Sequence, residues 1–116
     1  MISDVFCKII KGELPAEVIY KDNDFLVIKD INPQAPVHLL IIPIKHYDSL
    51  EDFLGKKDTA LLGKALITAH KVSHEMDIAK KGYRIILNEG EHGGKLVPHF
   101  HIHLLGGKRL GTKIVK

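Results

Sequence analysis

The sequence predicts an α+β domain built on a five-stranded antiparallel sheet. Five short apolar segments have strand character, and turn-forming Asp, Asn, Gly or Pro residues separate them. The segment from Asp58 to about Ala79 instead repeats its apolar residues every three or four positions, as a helix does. Because strands joined by short turns run antiparallel, we expect one such sheet with helices on one face.

Each element follows from a local pattern. Apolar residues 5, 6, 9 and 10 share a helical face that Gly12 and Pro15 close. Two prolines in INPQAP interrupt strand pairing, and Asp58 is a suitable N-cap for the long helix. The predicted order is a short helix at 5–10, strands at 17–20, 25–31 and 37–44, one helical turn at 49–53, the long helix at 58–79, and strands at 83–88 and 99–107.

Composition narrows the class of protein. The 116 residues suit a single domain, 1–116, with one core. No apolar run approaches the ~20 residues of a membrane span, and the N-terminus lacks the pattern of a secretion signal. Cys7 is the only cysteine, so no internal disulfide forms, and the net charge of +3 comes without a basic stripe. We therefore expect a cytoplasmic protein that contacts neither membrane nor nucleic acid.

Three of the eight histidines stand at alternate positions in HFHIHLL: His99, His101 and His103. In a strand they project from one side of the sheet, and the apolar residues between them from the other. Such a row suits metal binding by neutral imidazoles, or nucleophilic attack on phosphorus through a covalent phosphoramidate. A merely solvated strand face is the alternative, but such faces usually carry Lys, Glu or Thr.

A glycine-rich loop precedes these histidines. In NEGEHGG, Gly90, Gly93 and Gly94 let the backbone approach a ligand, and free amides in such a loop can bind an anion. The connection is also longer than a tight hairpin needs. Alone it is equally consistent with a flexible turn, but beside a row of imidazoles it favours a phosphate ligand.

The segment HFHIHLL matches the signature of the histidine triad (HIT) superfamily of nucleotide hydrolases and transferases. DVFCKIIKGELPAEVIYKD, DINPQAPVHLLIIPIKH, GYRIILNEGEHGG and the closing LLGG resemble its Hint branch, the purine nucleoside phosphoramidases, in the same order. The resemblance covers nearly the whole chain. It implies the HIT fold, with five antiparallel strands, one long and one short helix, and a sheet extended across a homodimer whose C-terminal segments reach the partner's site.

The resemblance also implies catalytic roles. His101 would attack the α-phosphate and hold AMP covalently, His99 and His103 would flank it, and His38 would complete an imidazole relay. This agrees with the chemistry, because the nucleophile must be neutral while a proton must reach the leaving amine. Without the resemblance, His38 reads as a structural histidine of an apolar strand.

Nucleotide contacts are implied in the same way. Asp30 would bind the ribose hydroxyls, although alone it reads as a turn former. The apolar walls of the base pocket would otherwise be assigned to the core. They are Phe6, Ile9, Ile28 and Ile31, and the phosphate-contacting loop residues are Asn88, Gly94 and Val97.

The chain departs from the Hint pattern at two places and has one further histidine motif. Many Hint proteins have a serine or similar polar residue where this chain has Leu96, which cannot donate a hydrogen bond to the leaving group. Many bacterial and archaeal relatives begin CxxC and hold zinc with two histidines. Here a set of Asp4, Cys7, His46 and His99 is chemically able to bind zinc, but we expect no metal to be required. His70 and His74 lie at ligand spacing on the long helix, where a solvated face is the preferred interpretation.

The function expected is hydrolysis of adenosine 5′-monophosphoramidates or aminoacyl-adenylates through an AMP–His101 intermediate. The ligand would be a purine nucleotide such as AMP, GMP or an aminoacyl-adenylate. A dinucleoside polyphosphate hydrolase is the alternative enzyme, and LLGG after the triad argues against it. A zinc-binding protein and a nucleotide-binding regulator without turnover are alternatives from other classes.

Overall fold

The computed structural model describes residues 4–112. In that range the chain forms three helices and five strands. They are α1 (Val5–Ile10), β1 (Val18–Lys21), β2 (Phe25–Lys29), β3 (Val37–Pro43), α2 (Leu50–Gly55), α3 (Thr59–Glu75), β4 (Tyr83–Ile86) and β5 (Ile102–Gly106).

The five strands form one sheet in the order β1-β2-β3-β5-β4, and all four neighbouring pairs are antiparallel. This confirms the predicted fold class, but the expectation of helices on one face was wrong, because α1 packs on the face opposite to α3. The strands of the centre, β2, β3 and β5, are almost wholly buried because both faces of the sheet are covered. Helix α3 covers one face over an apolar cluster that includes Phe25, Leu39 and Leu104. Helix α1 covers part of the other face, where its Phe6 packs in one cluster with Leu40 of β3.

Two helices differ in extent from the sequence prediction. The turn expected at 49–53 is a second short helix, α2, which buries Phe53 in the core. Helix α3 ends at Glu75 rather than near Ala79, because Asp77 takes a positive φ of 59° and reverses the chain. That reversal returns Ile78 to the core, where it is 5% exposed. The spacing of apolar residues in the sequence extends past the last helical residue because the buried Ile78 follows the turn.

Strand β5 begins at Ile102 rather than at His99. Its pairing with β3 runs from Ile102 opposite Ile41 to Gly106 opposite Val37. Before that point the chain forms other bonds: the His99 amide donates to Val97 O over 2.8 Å, within a turn that contains a proline. The first two triad histidines therefore lie just outside the regular strand, which lets their rings take separate partners.

Asp58 is the N-cap residue of α3, as predicted, but its side chain forms no capping hydrogen bond. Its carboxylate instead accepts a hydrogen bond from the hydroxyl of Tyr47, which is fully buried. Burial, followed by this carboxylate, raises the pKa of Tyr47 to about 12. The tyrosine ring stacks on Phe53 at 4.1 Å, so this contact joins α2, α3 and the segment after β3.

Among residues 4–112, no helix is both long and apolar enough to span a membrane. Residues 113–116 of the C-terminal segment, to which the resemblance assigns a contact with a partner's site, lie outside the described part.

Candidate active site

The alternation predicted around the triad is present. Phe100, Ile102 and Leu104 all pack in the cluster beneath α3. The histidines face the opposite side, where the Phe6 ring of α1 lies 4.9 Å from the ring of His101 in an edge-to-face arrangement. The segment 99–104 thus provides core packing through one set of side chains and the site through the other.

His101 has a single reactive nitrogen. Its Nδ1 lies 2.7 Å from the carbonyl oxygen of His99, an atom that can only accept, so Nδ1 carries the proton. Nε2 therefore holds the lone pair. Burial lowers the pKa of His101, so the ring is neutral at pH 7. The hydrogen bond and the burial together give an oriented, uncharged imidazole nucleophile.

His38 and His103 form a second hydrogen-bonded unit. The backbone amide of Gln34 donates to His38 Nδ1 over 3.0 Å, which places the His38 proton on Nε2. That Nε2 lies 3.0 Å from His103 Nδ1 and 3.3 Å from the Asp30 carboxylate. His103 Nδ1 is thus an acceptor, and its proton is on Nε2. The bonding pattern assigns one tautomer to each ring.

The charge state of His103 follows from its surroundings. Burial, and then the neighbouring His101 and His38, lower its pKa to about 4. The ring of His103 lies 5.1 Å from that of His101. At pH 7 both rings are neutral. An anionic group placed between them would favour the protonated form and raise these pKa values.

Of the four residues predicted to line the base pocket, three lie in one apolar cluster and one lies at the surface. Phe6 and Ile28 are 6% and 3% exposed and lie in one cluster, against which Ile9 packs. Ile31 follows β2 and is 90% exposed, so it does not line an apolar wall within this chain. Asp30 directs one carboxylate oxygen to the Asn32 amide at 2.8 Å and the other to His38.

The glycine-rich loop is anchored at its base. Glu89 accepts from the Leu50 amide over 2.6 Å and pairs with Lys95 at 3.3 Å. Gly94 has a φ of 81°, a conformation that suits glycine, and its amide donates to Glu91 O, so that amide is not free for an anion. Leu96 is 93% exposed in the same loop.

The other two loop positions that the resemblance assigns to phosphate contact differ in surroundings. Val97 packs on the Phe6 cluster, next to the triad. Asn88 follows β4 and is half-buried at the start of the loop.

Four potential metal ligands come together where the start of α1 meets His99 of the triad. One ligand atom each from Asp4, Cys7, His46 and His99 lies within 4.8 Å of every other. The Cys7 sulfur is 3.3 Å from His46 Nδ1 and 3.5 Å from His99 Nδ1. The Asp4 carboxylate is 3.2 Å from His99 Nδ1 and 3.4 Å from His46 Nδ1. A carboxylate, a thiol and two imidazoles form a donor set that zinc binds.

The protons of this cluster support that fit. The outer nitrogens donate elsewhere: His99 Nε2 lies 3.2 Å from Pro43 O, and His46 Nε2 lies 2.6 Å from the Asp48 carboxylate. Each neutral ring then has no proton left for its inner Nδ1. Burial lowers the pKa of His99, so a neutral ring is favoured. With both rings neutral, Asp4 Oδ2 and the two Nδ1 atoms face one another, and the Cys7 S–H is the donor among these four side chains; the Cys7 amide donates to Asp4 Oδ1 at 2.8 Å. A cation among them would replace the missing protons.

Sequence reasoning missed the groups that set the tautomers. They are the backbone amide of Gln34, the carbonyl oxygens of His99 and Pro43, and the carboxylate of Asp48. Asp48 was detectable as an acid two residues after His46. The backbone groups carry no residue-type signal, because any residue has an amide or a carbonyl at that position.

Comparisons with known proteins are consistent with this site. The HIT domain family model matches residues 11–110. The chain is 42% identical to an Escherichia coli (strain K12) protein named purine nucleoside phosphoramidase, over 95% of this chain and 92% of that one. A HIT family hydrolase from Clostridium thermocellum superposes with a TM-score of 0.92 at 45% identity, covering 99% of each chain.

A histidine triad protein from Clostridium difficile superposes with a TM-score of 0.91 at 38% identity, covering 97% of each chain. The fold, the alternating histidines and the likeness in sequence agree across almost the full length. This chain belongs to the HIT domain family.

Proposed function

We propose that the protein hydrolyses purine nucleoside 5′-phosphoramidates, and aminoacyl-adenylates by the same route, through a covalent nucleotide on His101. The observation that carries this proposal is the tautomer of His101. Its Nδ1–H is held by the His99 carbonyl, so a neutral lone pair on Nε2 is available for attack. The relative from Escherichia coli, named a purine nucleoside phosphoramidase, supports the substrate class.

In the first step, His101 Nε2 forms a bond to the α-phosphorus and the bond from phosphorus to the leaving group breaks. That bond joins phosphorus to the amine nitrogen in a phosphoramidate and to the acyl oxygen in an aminoacyl-adenylate. The substituted imidazole is cationic, and the His99 carbonyl that accepts from Nδ1–H stabilises this charge. The amine leaves with a proton, whereas the carboxylate of an aminoacyl-adenylate leaves without one. In the second step water attacks the same phosphorus, breaks the bond to Nε2 and returns one proton as the nucleotide departs.

His103 would donate that proton, with His38 as its hydrogen-bond partner. The bound anionic phosphoryl group favours a proton on His103, whose Nε2–H can serve the leaving amine. If His103 also carries a proton on Nδ1, His38 Nε2–H has a second acceptor in the Asp30 carboxylate, 3.3 Å away. Asp30 thus supports the relay in this arrangement, in addition to the ribose contact that the resemblance implies.

Phe6 and Ile9 of α1 would contribute the apolar side of the base pocket, since both lie in the cluster next to His101. The loop residues Asn88, Gly94 and Val97 would border the phosphate. Because the Gly94 amide is already bonded within its loop, its role would be close approach rather than donation. Leu96 offers an apolar surface where a hydroxyl would otherwise donate, so leaving-group activation would fall to the histidines.

The reaction as proposed needs no metal. Asp4, Cys7, His46 and His99 would hold a zinc ion if one is bound, and such an ion would supply structural stabilisation by joining α1 to the triad segment. Because His99 also presents the carbonyl that orients His101, this cluster positions the nucleophile without contacting substrate.

Turnover of a fluorogenic adenosine phosphoramidate and of a diadenosine polyphosphate would test the proposal. We expect the first to be the better substrate, with a mass increase of one AMP on His101 in the trapped intermediate. His101→Ala should abolish turnover while AMP still binds. Preference for the polyphosphate would favour the alternative enzyme. Nucleotide binding with neither turnover nor adduct would indicate a regulator.

We infer that the protein acts as a homodimer in the cytoplasm, where its free Cys7 stays reduced. Strand β4 is at the edge of the sheet, with open backbone groups along its outer side. Beside it, α3 exposes Leu66 and Ile67, at 47% and 68%, which a second copy would cover. Light scattering should give twice the chain mass, and Ile67→Glu should shift it toward the monomer.

A further inference from the structure

We propose that His70 and His74 of α3, oriented by Tyr83, form a bidentate site for a divalent transition-metal ion. The pair is separate from the triad and from the cluster at Asp4, and it is independent of the function proposed above. Both imidazoles are exposed in the isolated chain. The sequence had favoured a merely solvated helix face at these positions.

The distance between the two nitrogens supports a shared ion. His70 Nε2 and His74 Nε2 are 3.3 Å apart, with the ring planes perpendicular. Two imidazole nitrogens that bind one ion at ~2.1 Å, with a square or tetrahedral angle between them, are separated by about 3.0–3.4 Å. The side chains therefore already present their nitrogens at chelating separation, as histidines four apart on a helix do.

Tyr83 sets the orientation of the first ring. Its hydroxyl lies 2.6 Å from His70 Nδ1, across from β4 to α3, and so engages the nitrogen that faces away from His74. With Nδ1–H donating to that hydroxyl, His70 Nε2 carries a lone pair. A hydrogen-bonded outer nitrogen is the usual support for a metal-binding histidine.

With this tautomer of His70, His74 Nε2–H is the donor to His70 Nε2 in the metal-free protein. An ion takes the place of that proton, and His74 moves its proton from Nε2 to Nδ1, which faces solvent. No net proton is released from two neutral rings. Protonation of either ring removes a ligand, so binding weakens at acidic pH.

The chemistry of the donors limits the ion. Imidazole nitrogens favour Zn²⁺, Ni²⁺ and Cu²⁺ over Mg²⁺ and Ca²⁺, with Cu²⁺ the tightest of the three. Water would fill the remaining positions. Ile67 lies on the same face of α3, three residues before His70, so a second copy docked there is another source of ligands. One ion per chain or one per two chains are both consistent with the site.

Calorimetric titration with Ni²⁺ at pH 7.5 would test the site. We compare the wild-type protein with His70→Gln/His74→Gln, and use His46→Gln as a control that alters only the other cluster. The double variant should lose one binding component, with affinity at least tenfold weaker, while His46→Gln should retain it. Tyr83→Phe keeps both ligands and should weaken the same component about tenfold.

A second variant tests the geometry rather than the number of histidines. His74→Gln/Glu75→His keeps the same count but moves the second ring off the shared face of the helix. It should bind as poorly as the double variant. Circular dichroism checks that each variant is folded, and these exposed positions leave the core intact. Wild-type affinity in either double variant would overturn the proposal.

Discussion

The low pKa of His103 predicts a specific loss of stability in mild acid. The folded-state pKa is about 4, against an ordinary value of 6.5. Between these values the unfolded chain binds a proton at this residue and the folded chain does not, so stability falls as pH drops from about 7 toward 4. At pH 5 the unfolded imidazole is almost fully protonated and the folded one is about one-tenth protonated. The difference between pH 7 and pH 5 is therefore about 2 kcal/mol for this residue alone.

Urea denaturation of the wild-type protein and of His103→Gln at both pH values would measure this contribution. The variant should lose about 2 kcal/mol less than the wild type between pH 7 and pH 5. Comparison at pH 7 separates the direct cost of the substitution from the proton linkage. An NMR titration should show the His103 ring changing charge near pH 4. Equal losses in the two proteins, or a midpoint near 6.5, would refute the reasoning.

Three further predictions concern core packing and the possible zinc ligands around Cys7. Tyr47→Phe removes a buried hydroxyl that donates to a carboxylate, and should lower the free energy of unfolding by about 1–2 kcal/mol in urea titrations. In Gly106→Ala the new Cβ would lie 2.8 Å from Ile78 Cδ1, so thermal unfolding should show a cost of about 1–3 kcal/mol. Gly63→Ala is its control, since nothing lies within 4 Å there and alanine favours the helix. Elemental analysis after zinc loading, done in His70→Gln/His74→Gln so that the pair on α3 does not contribute, should find one ion per chain, and less than one when Cys7→Ser is added.

Each of these has a contrary outcome. Unchanged stability of Tyr47→Phe would mean that water replaces the hydroxyl at Asp58. Equal effects of the two glycine substitutions would show that Ile78 moves aside freely. In the background without the α3 pair, zinc retained in full after Cys7→Ser would place the ion on other ligands, and no stoichiometric zinc while Cys7 is present would leave the cluster metal-free.

Much of the fold could be predicted from local patterns. The five strands lie where short apolar segments indicated them, and the α3 periodicity identified the long helix. The errors fall where local and tertiary preferences differ. Asp77 ends α3 early so that Ile78 can enter the core, and β5 starts late because His99 bonds within a turn instead of with β3.

The sequence by itself determined the spacing of the triad, because alternation along a strand depends only on consecutive residues. The same spacing of His99, His101 and His103 indicates the resemblance to the HIT family. Which ring nitrogen carries each proton was decided by the tertiary structure. Some of those protons depend on the local path of the backbone, which places the His99 carbonyl 2 residues from His101 and the Gln34 amide 4 residues from His38. Others depend on distant segments, such as the Pro43 carbonyl 56 residues from His99.

The same distinction separates the two candidate metal sites. The cluster at Asp4 joins residues up to 95 positions apart, so only the packing of α1 against the triad segment brings its ligand atoms together. His70 and His74 are visible in the sequence as a helical pair, but the hydrogen bond to His70 Nδ1 comes from Tyr83, which β4 places against α3. Spacing along the chain indicates the candidate ligands. Hydrogen bonds between elements decide which ring nitrogen of each histidine carries the lone pair.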